Sequence, residues 1–355
     1  MIFMVRLLYF LLLFPVCLHA QQLKDRNHYV TYRTTGNLVM DGNMDEEDWT
    51  AAKWSSLFVD IEGDAQPAPL YDTKLKMLWD EEHLYIGVWM EEPDLWATYT
   101  ERESVIFHEN DIEVFLDPDG DTHNYYELEI NALGTEWDLM ITKPYRNAGS
   151  PINGWNINGL EKGISLDGTV NDPTDKDRSW TVEMAIPWKA LSQRGPAYRA
   201  PADGEQWRIN FSRVQWQLEV DNNQYTKKIN PKTGKHFPEY NWVWSPQGHI
   251  NMHLPEYWGY LQFVEQPVGS EEVPFRLKED ERVKDALRTL YHKQHAFFKE
   301  NGKFAYQLSE LPDVEALERY HPQFEVSPTR FKLSAPSLSS DKTWYITEDS
   351  RTWSE

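Results

Sequence analysis

From Asn110 to Asp138 the chain reads NDIEVFLDPDGDTHNYYELEINALGTEWD, and through most of it apolar and polar side chains alternate. A period of two is what a half-buried strand requires, because successive side chains leave opposite faces of the pleat. Asp111 to Phe115, Tyr126 to Asn131 and the stretch after Gly134 therefore read as three strands of one sheet. The spacing sends Tyr126, Leu128 and Ile130 inward and Glu127, Glu129 and Asn131 to an outer, solvated face. Beyond the Gly134 turn it sends Trp137, Leu139 and Ile141 inward, with Glu136 and Asp138 outward. One sheet face is thus expected to carry carboxylates and an amide.

The same alternation recurs on both sides. Thr73 to Asp80 and His83 to Met90 form a hairpin pattern around Asp80-Glu81-Glu82. Ser179 to Trp188 places Trp180, Val182, Met184 and Ile186 inward. Glu205 to Trp216 places Trp207, Ile209 and Phe211 inward and Arg208, Asn210 and Ser212 outward, with Arg213 on the inward phase. Residues 147–174 are rich in Gly, Asn, Pro and Asp and read as a long loop around Trp155. Many short strands and no long helix before Val264 predict an all-β domain over residues 28–266, an antiparallel β-sandwich of jelly-roll or immunoglobulin-like type. After Gly269 the period changes: Val283, Leu287, Leu290, Tyr291, Phe297 and Phe298 recur at helical spacing, and Gly302 is a natural stop. Residues 270–355 are therefore expected to form a C-terminal extension, one helix and short strands, packed on the sandwich.

At the N-terminus Arg6 precedes the apolar run Leu7 to Phe14 and then Leu18-His19-Ala20, which predicts a signal peptide over residues 1–20. Export to the periplasm, the cell surface or the medium follows. Cys17 is the sole cysteine and lies within this segment, so the mature chain is expected to lack disulfides and thiolate sites; lipidation of Cys17 is the competing reading. The net charge of −22 repels phosphate backbones and anionic lipid, and no other stretch is apolar enough to insert in a membrane. Neutral polyhydroxy ligands and cations remain as partners. The 16 Trp and 18 Tyr offer flat faces that suit sugar rings as well as cores.

Several motifs then fall in a consistent order: Asp41-Gly42 with Asp45 and Trp49, LWDEEHLYIGV from Leu78, NDIEVFLDPDGD from Asn110, YYELEINALGTEWD from Tyr125, WTVEMAIPW from Trp180 and HLPEYWGYLQF from His253. Together, over about residues 37–264, they resemble the family 9 carbohydrate-binding modules and their sugar- or haem-binding sandwich relatives. The resemblance implies a two-sheet sandwich with structural calcium and a sugar site that pairs two tryptophans with polar groups. It further implies that Glu113 and Asn131 are ligand-contacting, with Glu129 where the family can have an arginine. One expected tryptophan is replaced by Phe107-His108, and the other falls at about Met252.

The expected carbohydrate-binding set is His108, Glu113, Glu129, Asn131, Asn210 and Trp155, because carboxylates and amides can accept hydrogen bonds from adjacent sugar hydroxyls. Asp117, Asp119 and Asp121 alternate in a turn and could give calcium hard oxygen ligands. Two rival chemistries keep candidates of their own. Glycoside cleavage would draw an acid and base from Glu113, Glu129, Asp138 and Glu183, and haem would take axial ligands from His108, His253 or Met252. Association with glycan-degrading enzymes is a further expectation.

Overall fold

The computed structural model describes residues 26–191 and 199–355; the leader predicted over residues 1–20 lies outside them. Its principal strands are β1 (His28–Arg33), β2 (Thr73–Trp79), β3 (His83–Glu91), β4 (Asp111–Asp117), β5 (Tyr125–Asn131), β6 (Glu136–Ile141), β7 (Glu161–Asp167), β8 (Ser179–Pro187), β9 (Gln206–Gln215), β10 (Tyr240–Val243) and β11 (Gly259–Pro267). They pair in the order β6-β5-β4-β9-β11-β1-β2-β3-β8-β7, with β10 also on β9. The alternation read from the sequence builds the core. Ile112, Val114 and Leu116 of β4, Tyr126, Leu128 and Ile130 of β5, and Trp207, Ile209 and Phe211 of β9 share one apolar cluster with Leu75, Met77 and Trp79, Ile86 and Val88, and Val182, Met184 and Ile186. Two layers thus face each other, as a sandwich requires.

Two expectations about the sandwich itself are corrected. β1 pairs parallel with both β11 and β2, so the sandwich is not antiparallel throughout. The phase of β6 is also reversed. The Asn131–Thr135 turn sets a register in which Glu129 faces Trp137, Glu127 faces Leu139 and Tyr125 faces Ile141, and residues paired in a ladder share a face. Trp137, Leu139 and Ile141 therefore lie beside the carboxylates, on the outer face. They are apolar because that face is covered as well: Phe115, Tyr125, Leu139 and Ile141 form a second cluster with Ile61, Val243, Met252 and Trp258.

The Asp41-Gly42 turn shows why one glycine is fixed. Gly42 has φ +92°, and a Cβ there would meet the Ser165 amide nitrogen at 2.3 Å. Glu183 of β8 accepts the Gly42 amide at 2.6 Å and the Asp41 amide at 3.2 Å, locking the turn over the sheet.

A second helix, after the five-residue α1 (Glu47–Ala51), is α2 (Asp280–Asn301), closed by Gly302 at φ +69°. Its apolar stripe, expected to dock on the sandwich, instead packs Val283, Leu287 and Leu290 against Phe331, Leu333 and Ile346 of a separate four-stranded sheet, β12 (Gln323–Val326), β13 (Phe331–Pro336), β14 (Thr343–Thr347) and β15 (Thr352–Ser354). The charged side of α2 meets the sandwich. Arg208 of β9 reaches Glu281 at 2.8 Å, and Arg26 reaches Asp285 at 3.1 Å. Among the described residues no helix is long and apolar enough to cross a membrane.

Candidate functional site: a buried carboxylate cluster

The outer face of β4 and β5 brings acids together by register alone. Glu113 sits directly opposite Glu129, and Asp111, two residues before Glu113, shares its face. One oxygen from each of Asp111, Glu113 and Glu129 lies within 4.8 Å of the others. This face was expected to be solvated, yet Asp111 and Glu129 are each 1% exposed and Glu113 6%. Like charges opposite one another in a ladder are unfavourable, and burial removes the water that would screen them. Burial pushes the Glu113 carboxyl up to about 7, with Glu239 adding to the push and Ser212 opposing it. Asp111, Glu127 and Glu129 are held well above the ordinary carboxylate range, by burial first and then by neighbouring charge, that of Glu113 on Asp111 and Glu127 and that of Asp111 and Glu113 on Glu129.

Aromatic residues border the cluster. The Phe107 amide donates to Glu129 Oε2 at 2.9 Å, and the Phe107 and Trp137 rings stack with centroids 6.2 Å apart and planes 26° apart. Trp216 Nε1 donates to the Phe107 carbonyl at 3.0 Å, which fixes the Ile106–His108 turn over the sheet. The Tyr145 hydroxyl is pushed up to about 12, by partial burial of that group and then by Glu127 and Glu129, while the residue as a whole is 41% exposed. Phe107 and Trp137 are half-buried, so each keeps an accessible ring surface.

Of the residues expected to bind sugar, the fold brings Glu113 and Glu129 together and leaves His108 exposed beside Phe107, with ring centroids 4.6 Å apart. The other three are placed differently. Asn131 is fully buried and its amide is committed: Nδ2 donates to Glu109 Oε1 and to the Tyr99 carbonyl, and Oδ1 accepts the Leu133 and Thr135 amides. Asn210, also fully buried, clamps Ser245 through both its amide and its carbonyl. Trp155 belongs to the main core and stacks on Tyr126 at 4.6 Å.

The rival candidates disperse. Asp138 is on the opposite face of β6, paired with Arg102 and the Ile157 amide, and Glu183 holds the Asp41-Gly42 turn. Neither can partner Glu113 across one substrate. Met252 Sδ accepts from Gln247, and the His253 ring lies 3.0 Å from the Tyr125 hydroxyl, so both are engaged within the protein. Sequence reasoning passed over Asp111 as a site residue, although its place two residues before Glu113 fixed it to the same face. It took Trp137 for a core residue because the alternation was phased across the Gly134 turn with the apolar residues inward.

The Asp117–Asp121 turn gathers the three carboxylates expected to hold calcium. One oxygen each from Asp117, Asp119 and Asp121 lies within 4.8 Å of the others, and burial followed by mutual repulsion raises Asp117 and brings Asp119 to about 6. That donor set fits a hard cation. The turn also supplies its own partners: Asp117 accepts the Gly120 and Thr122 amides at 3.1 and 3.0 Å, and Lys284 of α2 draws both Asp117 and Asp119 down.

Three solved structures are similar in sequence and shape at a low level. One is a protein provisionally described as carbohydrate-binding from Bacteroides uniformis ATCC 8492, 16% identical, covering 67% of this chain and 100% of its own, with a TM-score of 0.49. The others are a carbohydrate binding module family 9 from Caldicellulosiruptor kristjanssonii in complex with cellotriose and with glucose, 15% and 16% identical, each covering 70% of this chain and 100% of its own, with TM-scores of 0.39. No curated protein is similar enough to count as a match. The model of the family described as carbohydrate family 9 binding domain-like matches residues 40–230. That span is more than half of the chain and contains β2 to β9 with the carboxylate cluster, and the chain therefore belongs to the carbohydrate family 9 binding domain-like family.

Proposed function

We propose that this is an exported carbohydrate-binding protein whose sugar site is the outer face of β4 to β6, bordered by Phe107, Trp137 and Tyr145. The match of residues 40–230 to a carbohydrate-binding family carries the reading. The chemistry of the face is consistent with it: half-buried aromatic rings offer a stacking surface for the C–H face of a sugar, and Glu113 and Glu127, 6% and 5% exposed, are the cluster members with an edge toward solvent. A calcium ion held by Asp117, Asp119 and Asp121 as a structural element belongs to the same proposal, as does association with glycan-degrading enzymes. The test is affinity electrophoresis on a panel of soluble polysaccharides, with product analysis on the same panel. Retardation with unchanged glycan is the expected result, and new reducing ends or unsaturated products would overturn a purely binding role. Trp137→Ala and Phe107→Ala are expected to weaken retardation at least five-fold, since a stacked aromatic contributes about 1 kcal/mol or more.

A further inference from the structure

The Asp117–Asp121 turn is not the only cluster of hard oxygen donors in this molecule, nor the one with more unmet demand. At Asp117 each carboxylate oxygen already accepts a backbone amide, and Lys284 stands close by. At the outer face of β4 the opposite holds. Neither oxygen of Asp111 has a hydrogen-bond partner, although the residue is 99% buried; the Val214 backbone across the ladder eases its charge without a bond of normal geometry. Ser212 stands directly opposite Glu113 on the same face and is fully buried; its hydroxyl eases the Glu113 charge but makes no hydrogen bond of normal geometry. Buried donors and acceptors left unmet are costly, and more so when charged. Three converging carboxylates with a hydroxyl across the ladder, Asp111 and Ser212 among them without a hydrogen bond of normal geometry, form a socket that lacks its positive charge.

We propose that Asp111, Glu113 and Glu129, with the Ser212 hydroxyl, bind one divalent cation of the calcium class, at a site separate from the Asp117–Asp121 turn. The donors choose the ion. All are oxygens, three of them anionic, which suits calcium; zinc and copper favour imidazole or thiolate, and the cluster holds neither. Burial chooses an ion over a larger cationic ligand, because Asp111 and Glu129 at 1% exposure leave no room for an amino sugar or an alkylammonium group to reach them. The slight exposure of Glu113 marks the entry side, and Phe107 and Trp137 stand beside its ladder partner Glu129. If the sugar reading above also holds, a cation here would lie beneath the sugar. The site does not depend on that reading.

The test is calcium titration of the full mature chain by calorimetry after treatment with chelator, with thermal melts in chelator and in calcium. Wild type is expected to bind calcium, Asp111→Asn to bind one equivalent fewer, and Asp119→Asn to keep the equivalent that Asp111→Asn loses. Because Asn removes a buried charge while keeping the shape, Asp111→Asn is expected to melt no lower than wild type in chelator and to gain less from calcium. Glu129→Gln should behave likewise and stands in if Asp111→Asn misfolds. Wild-type protein that binds no calcium, or Asp111→Asn and Glu129→Gln variants with unchanged stoichiometry, would overturn the proposal. Glycan retardation is measured separately on the same wild-type sample: calcium binding without retardation rejects the sugar reading alone, and retardation without calcium binding rejects this one alone.

Discussion

Asn131 shows how one residue changes meaning once its neighbours are known. By alternation it belongs to the carboxylate face, and by family resemblance to the sugar site. In the fold all of its hydrogen-bonding capacity goes to Glu109, Tyr99 and the turn that starts β6. Asn131→Ala is therefore expected to destabilise the protein by about 2–4 kcal/mol, since it strands buried partners and removes the anchor of a hairpin. Urea unfolding followed by tryptophan fluorescence checks this, and an unchanged midpoint would show that the turn holds without it. Glu113 and Glu129 were legible as a pair from the sequence, because residue spacing fixes which side chains share a face. Their burial was not legible. A period of two says that a strand has two unlike faces, and it is silent about what later segment covers the polar one. Here the cover comes from the Ile106–His108 turn held by Trp216, and from the 244–258 segment over the apolar half.

At the scale of elements, α2 inverts the usual expectation for an amphipathic helix. Val283, Leu287, Leu290 and Tyr291 of its expected apolar stripe are buried while Phe298 is exposed, and the partner of that stripe lies after it in the chain, which a helical period cannot name. The contact with the sandwich is ionic instead. Glu256 lies between Arg146 at 3.0 Å and His292 of α2 at 3.1 Å. Burial alone would push its carboxyl up, and Arg146 and His292 outweigh that, leaving it far below the ordinary value of 4.5. A carboxyl whose folded pKa is depressed stabilises the fold above its unfolded pKa and loses that contribution as pH falls toward its folded value. Glu256→Gln is thus expected to lower stability by about 1.5–3 kcal/mol at pH 7, and the gap to wild type should narrow steadily as pH drops below 4.5. Melts of both proteins between pH 7 and pH 3 decide the matter; a gap independent of pH would mean that the ion pairs contribute nothing.

For the whole molecule, the consequence is that the C-terminal region is tied to the sandwich by charge. Arg208 is 2% exposed and relies on Glu281, while Arg288 donates to the Gly120 carbonyl in the acidic turn. Ending the chain after Gly269 removes those partners and bares Arg208 among the carboxylates of that turn. The truncated sandwich is expected to melt roughly 5–10 °C lower, the effect of losing one side of a mostly buried ion pair in a domain of this size. Differential scanning calorimetry measures it, and a truncated protein that melts with wild type would show the two parts to be independent. Retained glycan retardation is expected, because no residue of the proposed sugar face comes from beyond Gly269.

The parallel strand β1 carries a consequence for the order of events in folding. His28 pairs with Tyr260 on one side of it and Tyr32 with Leu78 on the other, so the ladder that joins the two layers runs through a strand whose partners are drawn from opposite ends of the sandwich sequence. A chain emerging from the ribosome makes β1 early and can pair its end with β2, but cannot seat the rest of it until β11 exists, more than two hundred residues later. Contacts at such separation are slow to form. Until then both layers keep bare edges, and the hairpins around Asp80 and Gly134 can form but have nothing to close against. Closure is therefore a late, nearly all-or-none step, and a chain stopped short of Gly259 holds most of its strands and none of its seal.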